Sequence, residues 1–508
     1  MTAVLALDQG TTGSTALVVA ADGRLLGRGY REFTQHFPAP GEVEHDAEEI
    51  LRVTVAAARE AIRQAGLVPG AIGITNQRET VCVWERETGR PLHRAIVWQD
   101  RRTAARCAQL AKQRKAALVR KRTGLVLDPY FSATKIEWLL EHVPGLRRRV
   151  EAGDAVFGTV DAWLLFRLTN GATFATDHTN AARTMLYDIG RRAWDADLLG
   201  LFGVPRDALP DVRTSSGMFG IAQAEHFGTE LPITGVAGDQ QAALFGQGCW
   251  KAGQAKNTYG TGAFLLLNTG KRRAESRRGL LTTLACGPRG EPVFALEGSI
   301  FVAGAAIQWL RDGLRLIAQA AETEQLARDI PDTGGVYFVP AFVGLGAPHW
   351  EPNARGTIVG LTRGTGRAHV ARAALEAMAF STKDVLDAMV ADANLSLSSL
   401  LVDGGAAAND WLMQFQADLL DVPVARPDLI ETTALGAAGL AGLGAGLWKT
   451  GSDFLAGRRF TRFLPGAGAR EVQARAREWQ RAVDTALHWA ARGTKAGARR
   501  GKGGIIES

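Results

Sequence analysis

The chain has 508 residues, of which 46% are hydrophobic and 22% charged, and its formal net charge is +7. That length exceeds a single compact core, so two large domains are expected. No apolar run approaches the roughly 18 residues of a membrane helix, so no stable membrane insertion is expected. From Gly466 onward, nine Lys and Arg stand against four acids. The basic excess is therefore mostly a property of the tail, and without a basic face interleaved with aromatics no nucleic-acid partner is expected. Cys82, Cys107, Cys249 and Cys286 form no C-x-x-C pair, and the nine histidines show no H-E-x-x-H spacing. These features point to a reducing, cytoplasmic setting. The N-terminus enters a strand at Val4 with no basic segment and cleavage site, so no signal peptide is expected.

In chain order, the apolar runs Val4 to Leu7 and Ala16 to Ala20 read as strands paired across a Gly/Thr turn. Asp22-Gly23 signals a hairpin into a third strand near Leu25 to Tyr30. Glu48 to Ala65 reads as a helix ended by Gly66. Strands follow at Ala71 to Thr75, Thr80 to Trp84 and Ala95 to Trp98. Helices are predicted over Arg101 to Lys115, Ser132 to Glu141 and Thr159 to Leu168, and Leu231 to Ala237 returns to strand. The second half repeats the logic, with strands at Gln254 to Tyr259, Ala263 to Asn268 and Val293 to Leu296, then a helix from Phe301 to Leu310. Further on come a strand at Val336 to Val339, a helix from His369 to Asp392, a strand at Leu400 to Asp403, and helices over Asp410 to Leu420 and Thr433 to Leu443. Strand triplets followed by helices, twice over, describe an α/β protein of two similar lobes that meet near Gln241 to Gly248. A last helix is expected over Ala469 to Ala490, with the segment beyond Arg492 frayed or disordered.

Two turns carry the chemistry. Asp8-Gln9-Gly10-Thr11-Thr12-Gly13 and Asn257-Thr258-Tyr259-Gly260-Thr261-Gly262 each join two strands through Gly and Thr. Backbone N–H groups in such turns suit an anion, and one turn per lobe suggests a polyphosphate gripped from both sides. No G-x-x-x-x-G-K-[ST] loop occurs. Asp8, at the end of a buried strand, is costly unless paired, and a Mg²⁺ ion bridging phosphate oxygens would account for it. Gly238-Asp239-Gln240-Gln241 places a carboxylate at a strand end, where Asp239 is the candidate base for a phosphoryl transfer, or else a helix N-cap. Arg78 and Glu79 offer a donor and an acceptor to hydroxyls, or else form a surface ion pair. Trp98 and Tyr130 would cover the C–H faces of a small polyol, or else pack in a core. Asp403-Gly404-Gly405-Ala406 permits close backbone approach to a base or a phosphate. Asp161 reads as a structural helix cap rather than a catalytic group.

Together these segments resemble the FGGY carbohydrate kinase family, from Val4 to about Trp448. Phe131-Ser132-Ala133-Thr134-Lys135-Ile136-Glu137-Trp138-Leu139 is similar to one family signature. Gly356-Thr357-Ile358-Val359-Gly360-Leu361, continuing to His369 and Glu376, is similar to the other. Three runs resemble the glycerol-specific branch rather than the pentulose kinases: Asn76 to Thr80, Ile96 to Arg102 and Asp239 to Gln247. The resemblance implies a duplicated, two-lobed actin-like ATPase (ribonuclease H-like) fold. It also implies transfer of the γ-phosphoryl of ATP to glycerol with Mg²⁺, giving sn-glycerol 3-phosphate and ADP. Its domains would be an N-terminal lobe (1–245) with the polyol site and first phosphate turn, a C-terminal nucleotide-binding lobe (246–465), and a helix with a flexible basic tail (466–508). Carried over by position, Arg78, Glu79, Tyr130, Asp239 and Gln240 would bind glycerol, Trp98 and Phe264 would cover it, and Asp239 would act as base. Thr11, Thr12, Gly13, Thr261, Gly304, Gln308, Gly405 and Asn409 would hold the nucleotide, and Asp8 the metal. A homo-oligomer, dimer or tetramer, is implied.

The chain departs from the family pattern in places. Relatives read D-Q-G-T-T-S-S-R in the first turn, whereas here Gly13 replaces a Ser and Thr15 the Arg. Relatives inhibited by fructose 1,6-bisphosphate carry G-G-T-R where this chain has Phe227-Gly228-Thr229-Glu230. The acid at Glu230 would repel that anion, so such inhibition is expected to be absent. His226 lies in a segment similar to a loop that is phosphorylated in other relatives, with an exposed loop histidine as the alternative. A kinase for another polyol or ketose is the nearest rival reading. A non-catalytic ATP-binding module is another, and Asp8 and Asp239 speak against it.

Overall fold

A computed structural model describes residues 2–500 of the chain. The first lobe is built on a six-stranded sheet. At its centre the strand Ala3–Gln9 runs parallel to Ile72–Asn76, which runs parallel to Leu231–Gly238. Antiparallel strands extend both sides: Gly13–Ala20 and Leu25–Glu32 on one, Ser216–Ala222 on the other. Ala3, Val4, Leu5, Ala6 and Leu7 are all fully buried, as a strand covered on both faces requires. The helix Ala47–Ala65 packs on one face, capped by the Asp46 carboxylate, which accepts from the N–H groups of Glu48 and Glu49.

The second lobe repeats this plan in a seven-stranded sheet. Gln254–Tyr259 pairs antiparallel with Ala263–Gly270, and that strand with Pro292–Ile300. On its other side Gln254–Tyr259 runs parallel to Ser399–Gly404, which runs parallel to Val424–Pro427. Phe460–Phe463 closes that edge antiparallel, and Leu281–Cys286 adds a strand at the opposite edge. The duplication expected from the two turns is thus present strand for strand, with one strand added. The long helix Arg367–Ala393 lies in the core of this lobe.

The lobes meet where the sequence suggested. The helix Asp239–Gly246 packs against Thr432–Gly444, a helix of Thr, Ala, Gly and Leu that also lies on the first lobe's sheet. A Cβ on Gly436 would come 1.8 Å from the Ala242 carbonyl oxygen, and one on Gly73 would come 2.1 Å from that of Ala437. Only glycine permits this backbone contact.

Several expectations shift. The strand Ala95–Ile96 stops short of Trp98 because the indole turns away to Thr11. The helix expected from Phe301 begins at Gly304, whose N–H is taken by the Gly260 carbonyl at 3.0 Å. The strands Ala155–Thr159 and Leu281–Cys286, buried along nearly their whole length, had no alternating signal. The C-terminal helix breaks at Arg475, a side chain drawn inward to Glu376. Its second part is Ala476–Arg500, and residues 501–508 of the tail lie outside the described residues.

Candidate active site

The parallel strands of the first lobe all end toward one cleft, the usual place for ligands in α/β sheets. Asp8 stands at the end of Ala3–Gln9, Arg78 and Glu79 just past Ile72–Asn76, and Asp239 just past Leu231–Gly238. Among the described residues Asp8 has no cationic side chain at ion-pair distance. Burial, reinforced by the neighbouring Asp239 carboxylate, raises its pKa to about 7. Among the described residues no group of three or more His, Cys, Asp or Glu side chains is arranged to hold a metal ion. A hard cation at Asp8 would take its remaining ligands from phosphate and water, which is how magnesium ordinarily binds with substrate phosphates. The donor chemistry fits.

Beside Asp8, the Gly10 N–H donates to the Gly13 carbonyl at 2.9 Å and closes the first turn, with Thr11 and Thr12 at its tip. Thr11 Oγ1 accepts from the Trp98 indole at 3.0 Å, which ties the first Gly/Thr turn to Trp98. Gly13 is required by its surroundings. A Cβ there would lie 2.7 Å from the Tyr30 hydroxyl and 2.8 Å from the Arg31 carbonyl oxygen. The second turn is one residue tighter, with Gly260 N–H donating to Gly262 O at 2.8 Å. Its Thr261 carbonyl accepts from Ala303 N–H and Ala305 N–H, at the start of the Gly304–Asp312 helix.

Arg78 and Glu79 do not form the surface pair weighed from the sequence. Both are buried, and their own closest approach is 3.8 Å. Arg78 instead donates to Glu297 of the second lobe through both terminal nitrogens, at 2.7 and 3.1 Å. Its Nε lies 3.1 Å from Asp239 Oδ1. Glu79 accepts from Arg183 Nε at 2.6 Å, and Arg183 Nη2 reaches Glu297 at 3.0 Å. Two guanidiniums and two carboxylates thus alternate along Arg78, Glu297, Arg183 and Glu79, a near-ring whose ends approach to 3.8 Å. Burial pushes Glu297 up, but Arg183 and Arg78 overcome it and hold the carboxyl down at about 2. The Glu79 pKa is raised, because burial outweighs the two guanidiniums. Glu79 sits at φ 63°, in the left-handed region, where Thr80 N–H donates to Arg78 O at 2.7 Å and closes a three-residue turn around it. A non-glycine residue held there stores strain, as ligand-binding turns commonly do.

Asp239 is the first residue of its helix, and Gly238 is the N-cap. The cap alternative therefore does not describe it, although its Oδ1 accepts from the next N–H, that of Gln240, at 2.7 Å. Its side chain keeps 32% of its surface open to the cleft, against 2% for Arg78. Gln240 Oε1 accepts from Lys256 Nζ, an amine buried in the second lobe that also donates to Thr258 Oγ1 at 2.8 Å. Trp98 and Tyr130 meet edge to face, with centroids 5.5 Å apart at 83°. Lys135, on the helix Ser132–His142, holds the Tyr130 segment by donating to the carbonyls of Pro129, Tyr130 and Phe131 at 2.5, 2.8 and 3.2 Å. Burial lowers its pKa to about 8.

The structure therefore gathers Asp8, Thr11, Arg78, Glu79, Trp98, Tyr130, Asp239 and Gln240 into one site. Thr12, at the exposed tip of the first turn, belongs with them. Thr261, Phe264, Gly304, Gln308, Gly405 and Asn409 belong to the second lobe. Gly304 and exposed Gln308 lie one turn apart on the same helix, and Gly405 is open, with no atom within 4 Å of a Cβ built there. Asn409 is a helix N-cap, its side-chain oxygen accepting from Leu412 N–H at 2.9 Å. Asp161 is structural, as expected, but it occupies the first turn of its helix and not the cap. It accepts from Thr159 and Thr176 hydroxyls, both at 2.5 Å, and burial raises its pKa to about 7. Arg183, Glu297, Lys256 and the holding role of Lys135 were missed. For Glu297 a signal existed, a lone carboxylate inside the apolar run Val293 to Ile300.

Comparison with known proteins fits this geometry. The model of the FGGY family of carbohydrate kinases, N-terminal domain, matches residues 3–246, and that of its C-terminal domain matches residues 255–445. The chain belongs to the FGGY family of carbohydrate kinases. It is 55% identical over 491 residues to a glycerol kinase of Dechloromonas aromatica, covering 96% of this chain and 98% of that one. It is 56% identical over 493 residues to a glycerol kinase of Alkalilimnicola ehrlichii, covering 96% and 99%. Among solved structures it is similar to Plasmodium falciparum glycerol kinase with ADP, with a TM-score of 0.91 and 36% identity over 96% of this chain and 98% of that one. This FGGY kinase has the two-lobed actin-like ATPase fold of the family. Among its described residues no helix is long and apolar enough to cross a membrane.

Proposed function

We propose that this FGGY kinase transfers the γ-phosphoryl of ATP to a terminal hydroxyl of glycerol, with Asp239 as general base. The observation that carries the reading is the state of the Asp239 carboxylate. Its Oδ1 is engaged by Arg78 and by the Gln240 N–H, and the side chain stays partly open, so Oδ2 is the oxygen left to take a proton. In the transfer, a glycerol hydroxyl gives its proton to Oδ2 while its oxygen forms a bond to the γ-phosphorus. The bond from that phosphorus to the bridging oxygen breaks, and ADP leaves. Arg78 and Glu79 supply a donor and an acceptor to the other hydroxyls, and Trp98, Tyr130 and Phe264 cover the carbon chain. Such a transfer asks the protein mainly for positioning and charge neutralisation.

The Thr11-Thr12-Gly13 turn and the Thr261 turn would bracket the phosphates, and Gly304, Gln308, Gly405 and Asn409 would receive the nucleoside. Asp8 is the residue that would hold magnesium, which when bound neutralises charge on the phosphate oxygens. Closure of the lobes excludes water, so that glycerol and not solvent receives the phosphoryl group. Self-association as a dimer or tetramer and a cytoplasmic location belong to the same reading, and the four cysteines, all free and buried, are compatible with a reducing compartment. Product identification with ATP and a panel of glycerol, other polyols and ketoses tests the proposal. Formation of sn-glycerol 3-phosphate with a clear preference for glycerol is expected, and turnover of ketoses in preference to glycerol overturns it.

A further inference from the structure

Away from the catalytic cleft, a groove of about 770 Å³ lies on the seam between the lobes. One wall is the end of the first-lobe helix Ala116–Thr123, and the other is the second-lobe segment from Arg272 to Arg278. Arg120, Lys121, Arg272, Arg273, Arg277 and Arg278 face into it against two acids, Glu275 and Asp392. Asp392 is already occupied, by Arg278 at 2.7 Å and by the Ser276 hydroxyl at 2.6 Å. Among the described residues the side chains of Lys121, Arg272 and Arg277 form no ion pair, Arg277 meeting Asp392 only through its backbone N–H at 3.2 Å, and Arg273 Nε is buried without an acceptor. Cations in the last turn of a helix complement its dipole, which accounts for Arg120 and Lys121. It does not account for four arginines brought opposite them from the other lobe, where like charges repel.

The two walls are laced together by their backbones. Arg120 donates to Ser276 O at 2.6 Å, Arg273 donates to Lys121 O, and Thr282 N–H donates to Gly124 O at 3.0 Å. The repulsion is thus built in and held, as in a site awaiting negative charge. The groove has no aromatic lining on which bases would stack, and its concave, two-walled form suits a compact ligand. We propose that it binds a small polyphosphate, a metabolite carrying two or more phosphate groups, separately from the nucleotide in the cleft. The segment that forms the second wall runs directly into the strand Leu281–Cys286, where Leu281 pairs with Glu297. Occupancy of the groove therefore bears on the strand that holds the Arg78 and Arg183 partner.

The test is calorimetric titration of the full chain with sodium tripolyphosphate, with ADP and glycerol saturating so that the cleft is filled. Saturable binding is expected, weakened at least tenfold by R272E/R277E and by rising salt, and retained by R272K/R277K. Orthophosphate is expected to bind more weakly than tripolyphosphate. R272Q/R277Q, which removes charge without reversing it, serves should the reversal variant fail to fold. Absence of saturable binding to the parent protein, or equal affinity in the glutamine variant, overturns the proposal.

Discussion

Glu297 of the second lobe accepts two hydrogen bonds from Arg78 of the first, across 219 residues of chain. Arg183 adds a third. Neither lobe alone assembles the pocket, since the guanidinium that faces the Asp239 carboxylate is held by a side chain from the opposite sheet. Removing the acid leaves two buried cations with one carboxylate between them. Glu297→Ala is expected to destabilise the protein by about 3–5 kcal/mol. Denaturant melts of parent and variant measure this, and a loss below 1 kcal/mol would show the ring to be dispensable.

Asp239→Asn should keep the fold and lower kcat by roughly 10²–10⁴. Steady-state kinetics beside circular dichroism provide the check. Turnover near the parent value would remove the assigned role.

Asp8 predicts a pH dependence. Its folded pKa, about 7, lies above the ordinary aspartate value of 3.8. An acid shifted upward stabilises the folded state fully below its unfolded pKa, and that contribution is lost as pH rises toward 7. Asp161 acts in the same window. Thermal midpoints should therefore fall between about pH 4 and 7, and Asp8→Asn should flatten the part due to Asp8. ADP with magnesium should flatten it too. An unchanged pH profile in the variant contradicts this account.

Lys135→Met would release three carbonyls that fix the Tyr130 segment. A hydrogen bond to a charged group contributes about 1.5–3 kcal/mol, so KM for glycerol should rise about tenfold or more, with a smaller change in kcat. Kinetics at varied glycerol separate the two. A fall in kcat alone would assign Lys135 elsewhere.

Gly13→Ser places its Cβ against Tyr30 and Arg31. Overpacking of this kind costs about 1–3 kcal/mol. Tyr30→Ala in the same chain should recover part of the loss, because Tyr30 is 39% exposed and leaves no large void. No recovery would place the clash with the Arg31 carbonyl.

Much of the candidate site was legible as a set of neighbouring residues because its parts are local. The two Gly/Thr turns, Asp8 and Asp239 each end an apolar run, so strand, turn and functional group share one short segment. Glu297, Arg183 and Lys256 gain meaning only from partners far along the chain. Arg183 meets Glu79 over 104 residues, and no periodicity encodes that meeting. The strand Leu281–Cys286 is buried at every position, so it lacked the alternation by which a half-buried strand is recognised. Arg78 and Glu79 looked like one pair because they are adjacent in sequence, yet each turns to a different partner.

The contact of Gly436 with the Ala242 carbonyl has a mechanical consequence. Two helices that touch through bare main chain have no side-chain ridges to ride over, so they swivel more readily than they slide. A single methyl inserted at position 436 would act as a wedge, propping the jaws ajar some distance from any reacting atom.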